Sequence, residues 1–237
     1  MCGLAGFIDR HFVKDAESCL RAMGDAIAYR GPDDSGLYHE RESGIGFVHR
    51  RLSIVDLSAA GHQPMLSSSG RFIIVFNGEI YNHADLRQEL EKAGHGLQWR
   101  GHSDTETLLR GFEIWGLEAT LRRAVGMFAF ALYDKDQKQL HLVRDRMGEK
   151  PLYYGMMKGI FLFGSELKAL RAHPTFETEI DRHALHSLVQ RQFCAGPQSI
   201  YANIYRLTPG SILTLDVTTL KSRETFYWTL HDAAEKG

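Results

Sequence analysis

Four short stretches of this 237-residue chain hold side chains that could do chemistry together. The first is "MCGLAGF", where Cys2 directly follows the initiator methionine. A lone cysteine commonly packs as a small, inert hydrophobe. This position offers something else, because with Met1 removed Cys2 would carry both a thiol of ordinary pKa about 8.5 and an α-amine of about 7.7–8.0. One residue would then supply a nucleophile and its own base. While Met1 stays, the amine is locked in a peptide bond and the base is lost. Small Gly3 lets a substrate come close to the backbone.

The second stretch, "VFNGEIYN", has two readings. Asn-Gly between apolar runs is a strong short signal for a type I′ hairpin turn. Alternatively, the Asn77 side-chain amide and the Gly78 backbone N–H form an oxyanion hole, with donors held where negative charge develops on a tetrahedral intermediate. In "HRRLSIVD", Arg51 either starts a solvated strand or grips a carboxylate through two parallel hydrogen bonds. In "HSDTE", Asp104 either complements the positive end of a helix or serves as counter-ion to a substrate ammonium group. A thiol nucleophile, an oxyanion hole, a carboxylate clamp and an ammonium anchor together suit an α-amino acid with a cleavable side-chain acyl group, such as glutamine.

Other patterns lead nowhere. "SELK" at 165–168 matches S-x-x-K without the S-D-N or K-T-G that would accompany it, so Ser165 reads as a helix cap. "GIGFVH" lacks the third glycine of a dinucleotide fingerprint, and "SSSG" at 67–70 is a turn and not a pyrophosphate loop. The twelve histidines are scattered without metal-ligand spacing, so no metal is expected.

Elements must position these groups. A strand is expected over Leu4 to Asp9, then a helix over Asp15 to Tyr29 with apolar residues at Leu20, Met23 and Ile27. The turn-rich "RGPDDSG" separates these from buried strands at Ile45 to Val48 and Phe72 to Phe76. "NHADLRQELEKAG" reads as a helix capped by Asn82 and closed at Gly94, and Ser103 with Glu106 forms a capping box for a helix reaching Trp115. Then "MFAFALYD", "QLHLVRD", "PLYYGMM" and "IFLFGS" follow at hairpin-like spacing, which predicts antiparallel sheet. Strand runs apolar on both faces and flanked by helices imply an α+β fold layered αββα. A short helix is expected over Asp181 to Gln190; beyond it Pro197, Pro209 and the polar end "HDAAEKG" suggest a linker or domain edge.

With 43% hydrophobic and 24% charged residues the chain is expected to bury one large core. A net charge of −1 gives no overall field favouring nucleic acid or an anionic membrane. Three cysteines without a C-x-x-C pair, and no signal-like or membrane-spanning apolar run, fit a reducing cytoplasm.

"MCGLAGF", "RGPDDSG", "HRRLSIVDLSAAGHQPM", "FNGEIYN", "HSDTE", "GMFAFALYD" and "RDRMGEKPLYY" closely resemble the glutaminase domain of glutamine-hydrolysing asparagine synthetases, a branch of the class II glutamine amidotransferases. The resemblance runs from residue 2 to about 230, and "RGPDD" separates this branch from relatives making aminosugar phosphate or phosphoribosylamine. It implies a four-layer αββα N-terminal nucleophile hydrolase sandwich, with a glutaminase domain over 2–210 and a linker or edge over 211–237. It implies Cys2 as nucleophile and Asn77 with Gly78 as oxyanion hole. L-glutamine would be bound by Arg51, Leu52, Ser53, Ile54, Val55, Asn77, Gly78, Glu79 and Asp104, with Arg51 on the carboxylate and Asp104 and Glu79 nearer the amino group. Arg30 would help order the pocket. Glutamine would be hydrolysed through a thioester, and the ammonia passed to an ATP-using synthetase domain of the same polypeptide, most readily to amidate aspartate. ATP and Mg are expected only in that domain, and no cofactor within these residues. A homodimer is a further expected partner. Two alternatives stand beside this: a glutaminase serving a sugar acid or other carboxylate, and a non-catalytic glutamine-binding or docking module. "RDRMGEKPLYY" either faces the synthetase domain or forms a hairpin with a charged turn.

Overall fold

The computed structural model describes residues 1–10, 15–93 and 98–236. The chain begins with β1 (Gly3–Ile8) and α1 (Ala16–Asp25); the Asp15 carboxylate caps the helix, accepting from Ser18 N at 3.0 Å. The helix stops well short of Tyr29, and a 3-10 turn over Ala28–Arg30 carries Arg30 inward. Next come β2 (Asp34–Glu40), β3 (Ile45–Arg51), β4 (Met65–Leu66), β5 (Phe72–Ile80), α2 (His83–Lys92), α3 (Asp104–Ile114) and α4 (Leu117–Arg123). The four strand-like runs then form β6 (Gly126–Asp134), β7 (Gln139–Arg144), β8 (Tyr153–Met157) and β9 (Ile160–Gly164). After α5 (Leu167–Arg171) and α6 (Arg182–Arg191), the chain ends in β10 (Ile204–Arg206), β11 (Ser211–Asp216), β12 (Ser222–Phe226) and α7 (Leu230–Lys236).

The strands make two antiparallel sheets, ordered β10-β8-β9-β1-β3-β2 and β12-β11-β7-β6-β5-β4. Alternation along each strand explains why they stack. In β1, Leu4 and Ile8 face the other sheet while Ala5 and Phe7 face α1; in β6, Ala129 and Ala131 face inward while Phe128 and Phe130 pack against α3. Three buried layers result. One lies between the sheets, one between the first sheet and α1 with α5, and one between the second sheet and α3. This is the expected αββα sandwich. No helix among the described residues is long and apolar enough to cross a membrane.

Several local expectations change. Asn77 and Gly78 form no turn: they lie within β5, paired with Ala129 and Phe128 of β6. Glycine is needed there for lateral packing, since a Cβ would sit 2.3 Å from Met127 O. Ser165 caps no helix. It is fully buried at the end of β9, and its hydroxyl accepts from Leu4 N at 3.1 Å, tying down β1. Asn82 makes no cap bond to α2, because its side chain bridges instead to Arg123 O and Val125 N. Only half of the capping box forms: Ser103 Oγ accepts from Glu106 N, while the Glu106 carboxylate is taken by the amides of Arg100 and Gly101. Gly94 lies outside the described residues.

The expected boundary after residue 210 also moves. β11 sits inside the second sheet, between β7 and β12, and buries Ile212, Leu213 and Leu215. Tyr227 is buried beyond it, its hydroxyl donating to Arg144 O at 3.0 Å. Residues 211–228 therefore belong to the sandwich, with β12 as the exposed edge strand of the second sheet and the exposed α7 beyond it.

Candidate active site

The period-two alternation places the site. Leu4 faces the inter-sheet layer, so Cys2, two residues earlier, emerges on that side at the end of the sandwich. On β3, which pairs with β1, Phe47, His49 and Arg51 share the inward face; on β5, Ile73 and Val75 are followed on the same face by Asn77 and Glu79. Where the apolar layer ends, polar side chains continue the same stripes. They line one cavity with Cys2, Arg51, Asn77, Gly78, Glu79 and, from the start of α3, Asp104.

Cys2 is held at its carbonyl, which accepts from Arg30 Nε at 2.8 Å, and Arg30 is itself fixed by Glu166 at 2.6 Å. Arg30 thus links the Cys2 backbone to Glu166. The Cys2 Sγ accepts from Leu52 N at 3.4 Å. Burial pushes the thiol pKa up, and the Leu52 contact, the chain's terminal ammonium and Arg51 pull it only part of the way back. A thiol whose pKa is raised would need a base before it could act as a nucleophile.

The Asn77 Nδ2 is buried without a hydrogen-bond partner. Gly78 N–H is a second donor. Phe128, opposite Gly78, spends its own N–H and carbonyl on Asp145 in the other direction, so Gly78 turns its N–H away from β6. The flanking amides with the same orientation are both captured, Phe76 N by Gln63 Oε1 at 2.6 Å and Ile80 N by Asp104 Oδ2 at 3.0 Å. Between them Gly78 N–H faces the cavity beside Asn77. Asn77 and Gly78 thus place two neighbouring N–H donors at the cavity.

Arg51 is buried, and two of its N–H groups hold the carbonyls of Asp56 and Ser58. The segment after β3 is thus wrapped round the Arg51 guanidinium, which also lines the cavity. Gly61 is part of this fit: a Cβ there would come within 1.9 Å of Arg51 Nη2. Asp104 accepts from Thr105 N at 2.7 Å as well as from Ile80 N. Burial raises its pKa despite these bonds, so an arriving ammonium would favour the ionised carboxylate. Asp56, by contrast, is held at about 2, chiefly by the Ser58 hydroxyl and amide and by His102 N.

Leu52, Ile54 and Val55 line the cavity, Ile54 and Val55 as an exposed apolar rim. Ser53 does not line it: its amide donates to Asp33 Oδ2 at 2.8 Å, joining the loop to "RGPDD". Met1 occupies the mouth, its thioether accepting from Lys150 Nζ at 3.2 Å. Sequence reasoning missed Gln63, Thr105, Met127 and Lys150 as lining residues. All four fall in stretches that carried the resemblance, "HQPM", "HSDTE", "GMFAFALYD" and "GEKPLYY", and that was their one signal.

Comparison with known proteins agrees with this fold. A model of the glutamine amidotransferase domain matches residues 1–228. Glutamine-hydrolyzing asparagine synthetase 2 of Bacillus subtilis is 37% identical over 240 residues, covering 98% of this chain and 31% of that protein. Synthetase 1 of the same organism is 38% identical over 218 residues, covering 91% of this chain and 33% of its own. The chain thus spans about a third of the length of these curated relatives. Among solved structures, the glutamine phosphoribosylpyrophosphate amidotransferase of B. subtilis matches with a TM-score of 0.67 at 17% identity, over 96% of this chain and 49% of that one, which shows the shared fold. With the sandwich fold, relatives at 37–38% identity and a family match over residues 1–228 in agreement, the chain belongs to the glutamine amidotransferase domain family.

Proposed function

We propose that this domain hydrolyses L-glutamine to glutamate and ammonia with Cys2 as an N-terminal nucleophile, once Met1 has been removed. The observation that carries this reading is the buried, unpartnered Asn77 Nδ2 in the cavity lined by Cys2. Burying an amide donor without a partner costs roughly 1–3 kcal/mol, so its retention is explained by a ligand atom that supplies the acceptor. Arg51 takes the glutamine carboxylate and Asp104, with Glu79, the ammonium; the side-chain amide then reaches Cys2. The freed α-amine accepts the thiol proton as sulfur attacks the amide carbon, and Asn77 and Gly78 receive the oxyanion. Collapse breaks the C–N bond, the amine returns its proton to the leaving nitrogen, and ammonia departs from a γ-glutamyl thioester. Water then cleaves the thioester to glutamate and the free thiol.

The relatives' names and their threefold greater length support a further step. The ammonia serves an ATP- and Mg-dependent synthetase domain of the same polypeptide, outside these residues, which amidates aspartate. Glutamate release by protein shown by mass spectrometry to lack Met1 tests the reading. The wild type is expected to release glutamate and Cys2→Ala to release none; equal release by the two would overturn it.

A further inference from the structure

β4 pairs with β5 at Ile73 and Ile74, so from Phe76 onward one edge of β5 has no neighbouring strand among the described residues. Backbone groups buried on such an edge must find partners elsewhere. At Phe76 both do: the carbonyl accepts from His49 Nε2 at 2.9 Å, and the N–H donates to Gln63 Oε1 at 2.6 Å. Because that N–H can only donate, the orientation of the Gln63 amide is fixed, and its Nε2 faces Thr105 Oγ1 at 3.4 Å. Having accepted from Gln63, the Thr105 hydroxyl directs its proton to Asp104 Oδ1, also at 3.4 Å. Gln63 is only 5% exposed. A single buried amide thus holds the residue before Asn77 at one end and, through one hydroxyl, the Asp104 carboxylate at the other.

We infer that Gln63 is a positioning residue that sets the oxyanion donors of β5 and the Asp104 carboxylate of α3 at a fixed mutual spacing. The inference rests on the glutaminase reading, in which Asn77 with Gly78 receives the oxyanion and Asp104 the substrate ammonium. Glutamine presents its amide carbonyl and its ammonium at opposite ends of one short molecule, so the spacing decides whether both are met at once. Loss of the link leaves Phe76 N–H buried and unpaired beside Asn77, which is expected to slow the reaction about ten- to a hundredfold if the penalty falls on the transition state.

The test is a double-mutant cycle on Met1-free protein, with kcat and KM for glutamate release measured separately and thermal melting run alongside. Gln63→Leu is expected to lower kcat about tenfold or more and to raise KM. In the Asn77→Ala background its effect on kcat is expected to shrink at least severalfold, because one of the two donors it positions is gone and only Gly78 N–H remains. Thr105→Val is expected to raise KM with kcat largely kept, and Thr105→Ser to restore KM. If Gln63→Leu does not fold, Gln63→Glu, which still accepts from Phe76 N–H, is expected to keep kcat within a few-fold of the wild type. The same loss of kcat in both Asn77 backgrounds, unchanged kinetics in Gln63→Leu, or collapse of kcat in a folded Gln63→Glu would overturn the inference. A wild type that releases no glutamate would refute the glutaminase reading itself, whereas an active wild type with additive losses refutes only the role of Gln63.

Discussion

The Asn77 amide is the side chain whose state in the fold says most about its purpose. Its neighbours on β5 have their outward groups met by Gln63, His49 and Asp104, while its own Nδ2 is left bare in the cavity. A donor aimed at the developing oxyanion is worth most when charge forms, so Asn77→Ala should lower kcat roughly 10²–10³-fold and change KM far less. Steady-state glutamate release checks this, and an unchanged kcat would remove Asn77 from the role. Cys2, Arg51, Asn77 and Asp104 were legible in the sequence because each has a chemistry that its residue type announces. Gln63 was not. A glutamine amide signals nothing until it is known which buried backbone N–H it meets, and that N–H belongs to a strand whose edge is bare only in the folded sheet. Ser53 was named through its neighbours in "RLSIV", but its amide turns to Asp33 and away from the cavity.

At the level of elements, periodicity served well where it was strong. β6 and β5 alternate between two apolar layers, which is why their residues looked apolar on both faces. Dipeptide signals fared worse. Asn77-Gly78 has the composition of a hairpin turn, yet nine continuous pairings with β6 hold it in extended strand, and the glycine serves close packing against Met127. The tail misled for a related reason: prolines and a polar end mark the turns around β10 and β11 without showing that β7 still needs a partner. Ile212, Leu213 and Leu215 are each 5% exposed or less. Their burial contributes roughly 1.5–3 kcal/mol apiece, a sum comparable to the whole stability of a domain. A chain ending at Gly210 should therefore lack a cooperative urea transition, and one ending at Trp228 should retain it. Cooperative unfolding of the shorter chain would return the boundary to residue 210.

Across the whole molecule, the layered architecture followed from strand and helix order, but the environment of titratable groups did not, because burial is set by both sheets together. His49 and His141 are held at about 4, chiefly by burial. Unfolded, they would titrate at about 6.5, so below that pH the unfolded chain takes up protons that the folded chain refuses. Their contribution is present above about pH 6.5 and is lost as pH falls towards 4, on the order of a few kcal/mol together. Urea midpoints across this window should decline with pH, and the His49→Gln, His141→Gln double variant should flatten the decline; the same slope in both proteins would contradict this. Acting together, the two sheets also bring Cys2 of one and Asn77 of the other to a shared cavity, and the claim that depends on this most is acylation of Cys2 by glutamine. Acid-quenched intact-mass measurement during turnover tests it most directly. The expected result is a single γ-glutamyl adduct on Cys2 in protein lacking Met1, absent from Cys2→Ala and from protein that retains Met1. Steady glutamate release with no adduct on Cys2, or equal turnover by the Met1-retaining form, would contradict it.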